Sequence, residues 1–133
     1  MLLSGRPDDA PGTCVTCVME GQRPVLAEVQ ALLAPAAQSV SRRTSNGFDY
    51  NRFAMLLAVL EKRGGLMVSS CDAYVNIAGG MKMTEPAIDL GIALAVVSSC
   101  KDIIIPDSVM AFGEIGLSGE VRLSLIHISE PTR

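Results

Sequence analysis

The sequence predicts an α+β domain with the element order β-β-α-β-α-β-β. Three observations predict this class: short segments in which apolar and polar residues alternate, two longer segments with apolar residues at helical spacing, and Gly- or Pro-rich turns between them. The chain has 133 residues, of which 49% are hydrophobic and 19% charged. That size and composition suit one packed domain and not a disordered segment.

The first two elements are predicted to form a β-hairpin. Residues 13–19 and 25–33 have strand-like patterns, and the sequence Glu-Gly-Gln-Arg between them is suited to a turn. Residues 34–47 follow, rich in Ser, Ala, Arg and Asn, and are predicted to be a binding loop or a mobile loop. This loop would carry Arg42 and Arg43.

The first helix is predicted from Asp49 to about Arg63. Asp49 can cap its amino end, and Gly64 and Gly65 can terminate it. Apolar residues recur at i, i+3, i+4 and i+7, which predicts an amphipathic helix with one face in the core; these are Phe53, Leu56, Leu57 and Leu60.

The second half of the chain is predicted to contain a strand, a helix and two further strands. Residues 72–78 alternate in polarity, and Thr84-Glu85-Pro86 has the composition of a helix start. Asp89 would complement the dipole of this well-buried helix. Residues 103–105 and 109–114 are predicted as short strands around Pro106.

Charge is unevenly distributed along the chain. The net charge is −3, yet residues 42–63 carry five basic and two acidic side chains. Contact with a polyanion is therefore expected in this middle region, although a solvated helix with basic ends gives the same pattern. No apolar run reaches the roughly 18–20 residues that a membrane helix needs, so no membrane association and a cytoplasmic location are expected.

Two of the four cysteines form the pattern Cys14-Val15-Thr16-Cys17. On a pleated strand, residues three apart point to opposite faces, so these two thiols cannot share one metal ion. Free thiols are expected instead of a zinc site.

Several stretches of the chain resemble the RadA family of bacterial DNA-repair proteins, also called Sms. The resemblance is in order, in spacing, and nearly continuous over residues 2–122. It is carried chiefly by Leu3-Ser4-Gly5-Arg6-Pro7, Arg42-Arg43-Thr44, Asp49-Tyr50-Asn51-Arg52, Tyr74-Val75-Asn76-Ile77-Ala78-Gly79-Gly80, Glu85-Pro86-Ala87-Ile88-Asp89-Leu90 and the run from Phe112 to Arg122.

The resemblance implies a Lon-protease C-terminal-like fold (the ribosomal protein S5 domain 2-like fold), incomplete at its carboxyl end. It also implies a parent protein that forms hexameric rings, hydrolyses ATP, binds single-stranded or branched DNA, and drives branch migration during recombinational repair. A recombinase is a further implied partner. The ATP, Mg and Zn sites of the family belong to upstream domains, so no cofactor is expected in this chain.

The resemblance also bears on peptidase activity. Lon-type peptidases use a Ser–Lys dyad, in which a lysine takes the proton of the attacking hydroxyl. The corresponding position here is Ala87, and the lysine would come from a helix beyond Arg122. A non-catalytic scaffold that contacts DNA is therefore the leading hypothesis, and a peptidase or a purely structural hexamer-forming domain are the alternatives.

The residues proposed to contact DNA phosphates are Arg42, Arg43 and Arg52, with Lys82 as a fourth candidate. Such contacts would be to the backbone and independent of sequence. The alternative is that these arginines form ion pairs with a neighbouring subunit, or with Asp49 or Glu61 in the same domain.

Residues 123–133 do not continue the resemblance. The string looks like the translation of a sequencing adaptor, so it is interpreted as non-native and His127 is given no functional role. Loss of the native carboxyl end would leave apolar surface uncovered on Leu94, Val97 and residues 103–105.

Overall fold

The structure is a computed structural model that describes residues 10–20, 23–36, 41–78, 88–106, 108–119 and 121–127. These residues form an α+β arrangement, as predicted, of a mixed sheet and two helices. In chain order the elements are β1 (Thr13–Glu20), β2 (Arg23–Pro35), β3 (Arg43–Asn46), α1 (Tyr50–Gly64), β4 (Cys71–Ala78), α2 (Asp89–Lys101), β5 (Val109–Ile115) and β6 (Val121–His127).

The sheet has the strand order β3-β4-β2-β1-β5-β6. Antiparallel pairing joins β1 to β2, β2 to β4, and β5 to β6, whereas β3 lies parallel to β4 and β1 parallel to β5. The predicted hairpin of β1 and β2 is confirmed, with Thr13 opposite Gln30. Its second strand extends two residues further at each end than predicted.

Two of the predicted elements are wrong. The predicted loop of residues 34–47 contains β3, and residues 103–105 do not form a strand. β3 consists of Arg-Thr-Ser-Asn, four polar residues without an apolar face, so its strand conformation depends on parallel pairing with β4 about thirty residues away. The described order is therefore β-β-β-α-β-α-β-β.

Residues 123–133 were interpreted as non-native and were expected to lie outside the fold, but residues 123–127 form part of a strand. β6 includes residues 123–127 and pairs with β5 throughout, from Ile115 opposite Val121 to Val109 opposite His127. The expected apolar exposure is present in part. Ile103 and Ile104 are 53% and 45% exposed, whereas Leu94 and Val97 are partly buried against the core.

The two faces of the sheet have different surroundings. On the face covered by α1 and α2, strand residues such as Val29, Ala73 and Val75 are buried in the main core. The register places Cys14 on this face, opposite Val29, and Cys17 on the other, opposite Leu26. The prediction that the two thiols point to opposite faces is confirmed.

Cys14 has the chemistry of a core residue. Burial, aided by the nearby charge of Glu28, raises the pKa of its thiol to about 12. The side chain therefore stays protonated at neutral pH, whereas a metal ligand or a nucleophile would have to be a thiolate. Within the described ranges no three His, Cys, Asp or Glu side chains are grouped so that they could hold a metal ion.

The ends of α1 follow the predicted capping. Asp49 has extended backbone angles, and its carboxylate accepts a hydrogen bond from the Arg52 amide at 2.9 Å. At the other end Gly65 has φ +74°, in the left-handed region, and its amide donates to carbonyls of the last turn. The predicted face is buried through Phe53, Leu56 and Leu57.

α2 is the central helix of the fold and is buried on most of its surface, as predicted. Its predicted start at residues 84–86 lies outside the described residues. Ser98 Oγ accepts from the Gly12 amide at 2.7 Å and donates to the Ile103 carbonyl, and Ser99 Oγ accepts from the Leu33 amide at 3.1 Å. Neither α1 nor α2 is long and apolar enough to cross a membrane.

Close contact between α2 and β1 depends on Gly91. A Cβ atom at this position would lie 3.1 Å from the Cβ atom of Thr16. Thr16 is completely buried beneath the helix, and its hydroxyl has no hydrogen-bond partner among the described residues. A buried polar group without a partner lowers stability because it loses its hydration without compensation.

We predict that Thr16→Val raises the free energy of unfolding by about 1 kcal/mol, because valine keeps the shape of threonine and removes the unpaired hydroxyl. Ser98→Ala serves as the control and should lower it by about 1–2 kcal/mol, since two hydrogen bonds are lost. Urea denaturation of the 133-residue chain measures both. A loss of stability in Thr16→Val comparable to that of Ser98→Ala would contradict the assignment.

Candidate functional site

The most distinctive polar arrangement in the described chain surrounds Asp89 at the start of α2. Asp89 has no exposed surface, although charged carboxylates rarely lie in protein interiors without a partner. Its two carboxylate oxygens accept hydrogen bonds from Arg52, at 2.8 Å from Nε and 2.5 Å from Nη2. The amide of Ile115 donates to the same carboxylate at 3.1 Å. The buried charge is therefore paired and hydrogen-bonded.

These contacts join three elements that are distant in sequence. Arg52 lies in the first turns of α1, Asp89 begins α2, and Ile115 ends β5. Glu114 adds a longer contact, 4.0 Å from Arg52 Nη2, at a half-exposed position. Hydrogen bonding to Asp89 raises the pKa of Arg52, so the guanidinium stays charged throughout the accessible pH range.

The geometry of this pair suits arginine specifically. The planar guanidinium presents two N–H groups side by side, which matches the two oxygens of a carboxylate. The Arg52 backbone is fixed at the same time, because its amide is capped by Asp49. The predicted alternative, an ion pair within the domain, is thus present for Arg52, but its partner is Asp89 and neither Asp49 nor Glu61.

The other predicted DNA-contacting arginines differ from each other. Arg43 donates to the carbonyl oxygens of Cys71 at 2.8 Å and Val68 at 3.2 Å, so its guanidinium fixes the segment between α1 and β4. Arg42 has an exposed side chain, whereas its backbone is anchored on both sides. Its amide donates to Asp72 at 2.7 Å, and its carbonyl accepts from Ala73 at 2.9 Å.

The remaining site residues named from sequence, Lys82 and Ala87, lie outside the described residues. The described lysines are remote from the start of α2. Lys62 follows Arg52 along α1 by about 15 Å, and Lys101 ends α2 about 18 Å from Asp89, at 1.5 Å per residue. Neither can reach a hydroxyl at the amino end of α2 to serve as its base.

Sequence reasoning assigned Asp89 only a dipole role and missed the ion pair. A usable signal was present, since Asp89 is the first residue of a largely apolar helix whose burial was predicted. A carboxylate at such a position requires a cation, and Arg52 on the first helix was available. The sequence did not indicate which of several basic residues would supply it.

Comparison with known proteins identifies relatives that share one name. The chain is 48% identical over 122 residues to DNA repair protein RadA of Streptococcus pyogenes, and equally so to that of Halalkalibacterium halodurans. The Synechocystis protein of the same name is 43% identical over 122 residues. These matches cover 92% of this chain but only 24–27% of each relative, so the chain spans about a quarter of their length. No family model matches the chain.

We predict that Arg52→Lys lowers the free energy of unfolding by about 1–2 kcal/mol, because lysine keeps the charge but cannot donate two parallel hydrogen bonds to Asp89. Arg63→Lys, an exposed position on the same helix, is the matched control and should change stability by less than about 0.5 kcal/mol. Urea denaturation compares the two variants. Equal effects would show that the paired geometry does not matter.

Proposed function

Because the chain is homologous to part of the RadA proteins over 92% of its length, we propose that it is a scaffold and DNA-contacting segment of a cytoplasmic DNA-repair protein, without catalytic activity of its own. In this proposal the segment has the Lon-protease-like fold, and the parent is an ATP-dependent branch-migration protein that assembles as a hexamer. ATP, Mg and Zn would be bound by parts of the parent outside this chain.

The observation that supports a scaffold most strongly is the Asp89 junction, by which we mean the hydrogen bonds of Arg52 and the Ile115 amide to the buried Asp89 carboxylate. In a Ser–Lys peptidase the start of this helix would present a reactive hydroxyl to a substrate. Here position 87 is alanine in the sequence, and two residues later Asp89 is buried against Arg52 and Ile115. The junction uses the start of the helix to join α1 to β5, which is a structural role.

Two serine hydroxyls near the carboxyl end of α2 also support this interpretation. Ser98 and Ser99 lie in the last turns of α2 and make hydrogen bonds to Gly12, Ile103 and Leu33. Ser98 is buried, whereas Lys101, the described lysine nearest to it in sequence, has an exposed side chain.

The DNA-contacting part of the proposal concentrates on Arg42. Its exposed side chain projects from a backbone held at both its amide and its carbonyl, so contact with a phosphate would order the side chain without a further loss of backbone freedom. Arg43 and Arg52 have structural partners, so they are weaker candidates than the sequence suggested. Lys82 stays a candidate from sequence alone.

A purely structural, ring-forming segment is the alternative, and DNA binding distinguishes the two. We predict that Arg42→Glu weakens binding of a single-stranded oligonucleotide several-fold and reduces the slope of log affinity against log salt by about 0.7, the value for one phosphate contact on a single strand. The measurement is fluorescence anisotropy of the 133-residue chain over a series of salt concentrations.

Arg63→Glu is the charge-matched control for this experiment, since Arg63 is exposed at the far end of α1. It should leave the salt slope nearly unchanged. A salt slope that is the same in the unsubstituted 133-residue chain and in Arg42→Glu would refute contact at Arg42. An equal reduction by both variants would show that only bulk charge matters.

A further inference from the structure

A groove between α1 and the segment leading to β4 lies away from the Asp89 junction. It has a volume of about 510 Å³, and its floor is apolar, formed by Ala54, Leu57, Ala58 and Val68. Ala54 and Ala58 are one helical turn apart, so they form a smooth stripe of small side chains along α1. Met67, next to Val68 in the chain, is 69% exposed.

The rim of the groove carries two cations. Arg43 stands on the β3 side, and Lys62 continues the stripe of Ala54 and Ala58 at a further spacing of four residues. Three hydrogen bonds, to the carbonyls of Arg42, Val68 and Cys71, hold the Arg43 guanidinium in place. The other two of its five N–H donors make no hydrogen bond to a described residue.

One acidic side chain, Glu61, also lines the groove. Its Oε1 accepts two backbone hydrogen bonds, from Val68 at 3.1 Å and Ser69 at 2.7 Å. These amides stabilise the carboxylate charge, so Glu61 acts as a cap for the segment after α1. The lining therefore carries two cations and one carboxylate, a net charge of +1.

We propose that this groove binds an acidic peptide segment of a partner protein that carries an aliphatic anchor side chain. The anchor would lie on the Ala54–Ala58 stripe, and flanking carboxylates would pair with Arg43 and Lys62. A nucleic acid fits less well, because phosphates and sugars are strongly hydrated and gain little from an apolar floor. The proposal goes beyond the proposed DNA contact, which is centred on Arg42.

The test uses a fluorescein-labelled synthetic peptide with one leucine flanked by aspartates, and a second peptide in which asparagine replaces the leucine. The 133-residue chain should bind the leucine peptide at least about tenfold more tightly, because burying the leucine adds an apolar term to the same charge attraction. Anisotropy titrations at constant salt measure both affinities.

Ala58→Leu fills the groove without changing charge or helix propensity, and should reduce affinity for the leucine peptide at least about tenfold. Asn51→Leu adds the same exposed side chain to α1 outside the groove and should leave affinity unchanged. Circular dichroism of both variants establishes that they are folded.

Three results would overturn the proposal: no binding of the leucine peptide, equal binding of the two peptides, or an equal loss of oligonucleotide and peptide binding in Ala58→Leu. The last result would identify the groove as a nucleic-acid site. Failure of the chain to bind DNA in any variant would refute the proposed function and leave the peptide result unaffected.

Discussion

The fold depends on pairing the buried carboxylate of Asp89 with a cation. Transferring an unpaired carboxylate from water to a protein interior costs several kcal/mol, a large part of the stability of a small domain. Asp89 is fully buried, and its carboxylate accepts hydrogen bonds from Arg52 on α1 and from the Ile115 amide at the end of β5. The first helix, the central helix and the end of β5 therefore have to be in place together.

Further contacts of the central helix organise the α2 face of the sheet. The central helix contacts β1 through Gly91 and is joined to the segment before β1 and to β2 by Ser98 and Ser99. Its amino end has no side-chain cap on Ile88, and Asp89 turns its carboxylate to Arg52 and Ile115. Desolvation of the two charges offsets much of their attraction in a buried ion pair, whereas removing one partner leaves an uncompensated buried charge and is strongly destabilising.

Most of the helices and strands could be predicted from the local pattern of apolar and polar residues. Both helices, the first hairpin and β4 were predicted because their apolar residues repeat at the period of the element and their ends carry capping residues or turns. The opposite orientation of Cys14 and Cys17 followed from the pleat alone. β3 was missed because its four polar residues form a strand only by pairing with β4. Residues 103–105 were predicted to be a strand because isoleucine has a high strand propensity, but they do not form one in the structure.

The functional residues were harder to predict for the same reason. Arg42, Arg43 and Arg52 look alike in sequence, and only their neighbours separate an exposed cation, a cap for backbone carbonyls and one half of a buried pair. Long-range pairing decides such roles, and single-sequence patterns do not encode it. The groove beside Lys62 likewise depends on how the segment after α1 returns toward the helix, held by Glu61.

A double-mutant cycle of Arg52→Met and Asp89→Asn tests the central claim most directly. If the pair joins the three elements, each single substitution is strongly destabilising, and the double variant loses less than the sum by a coupling energy of about 2 kcal/mol or more. Urea denaturation of the four proteins measures this energy. Effects that add to within about 0.5 kcal/mol would contradict the account.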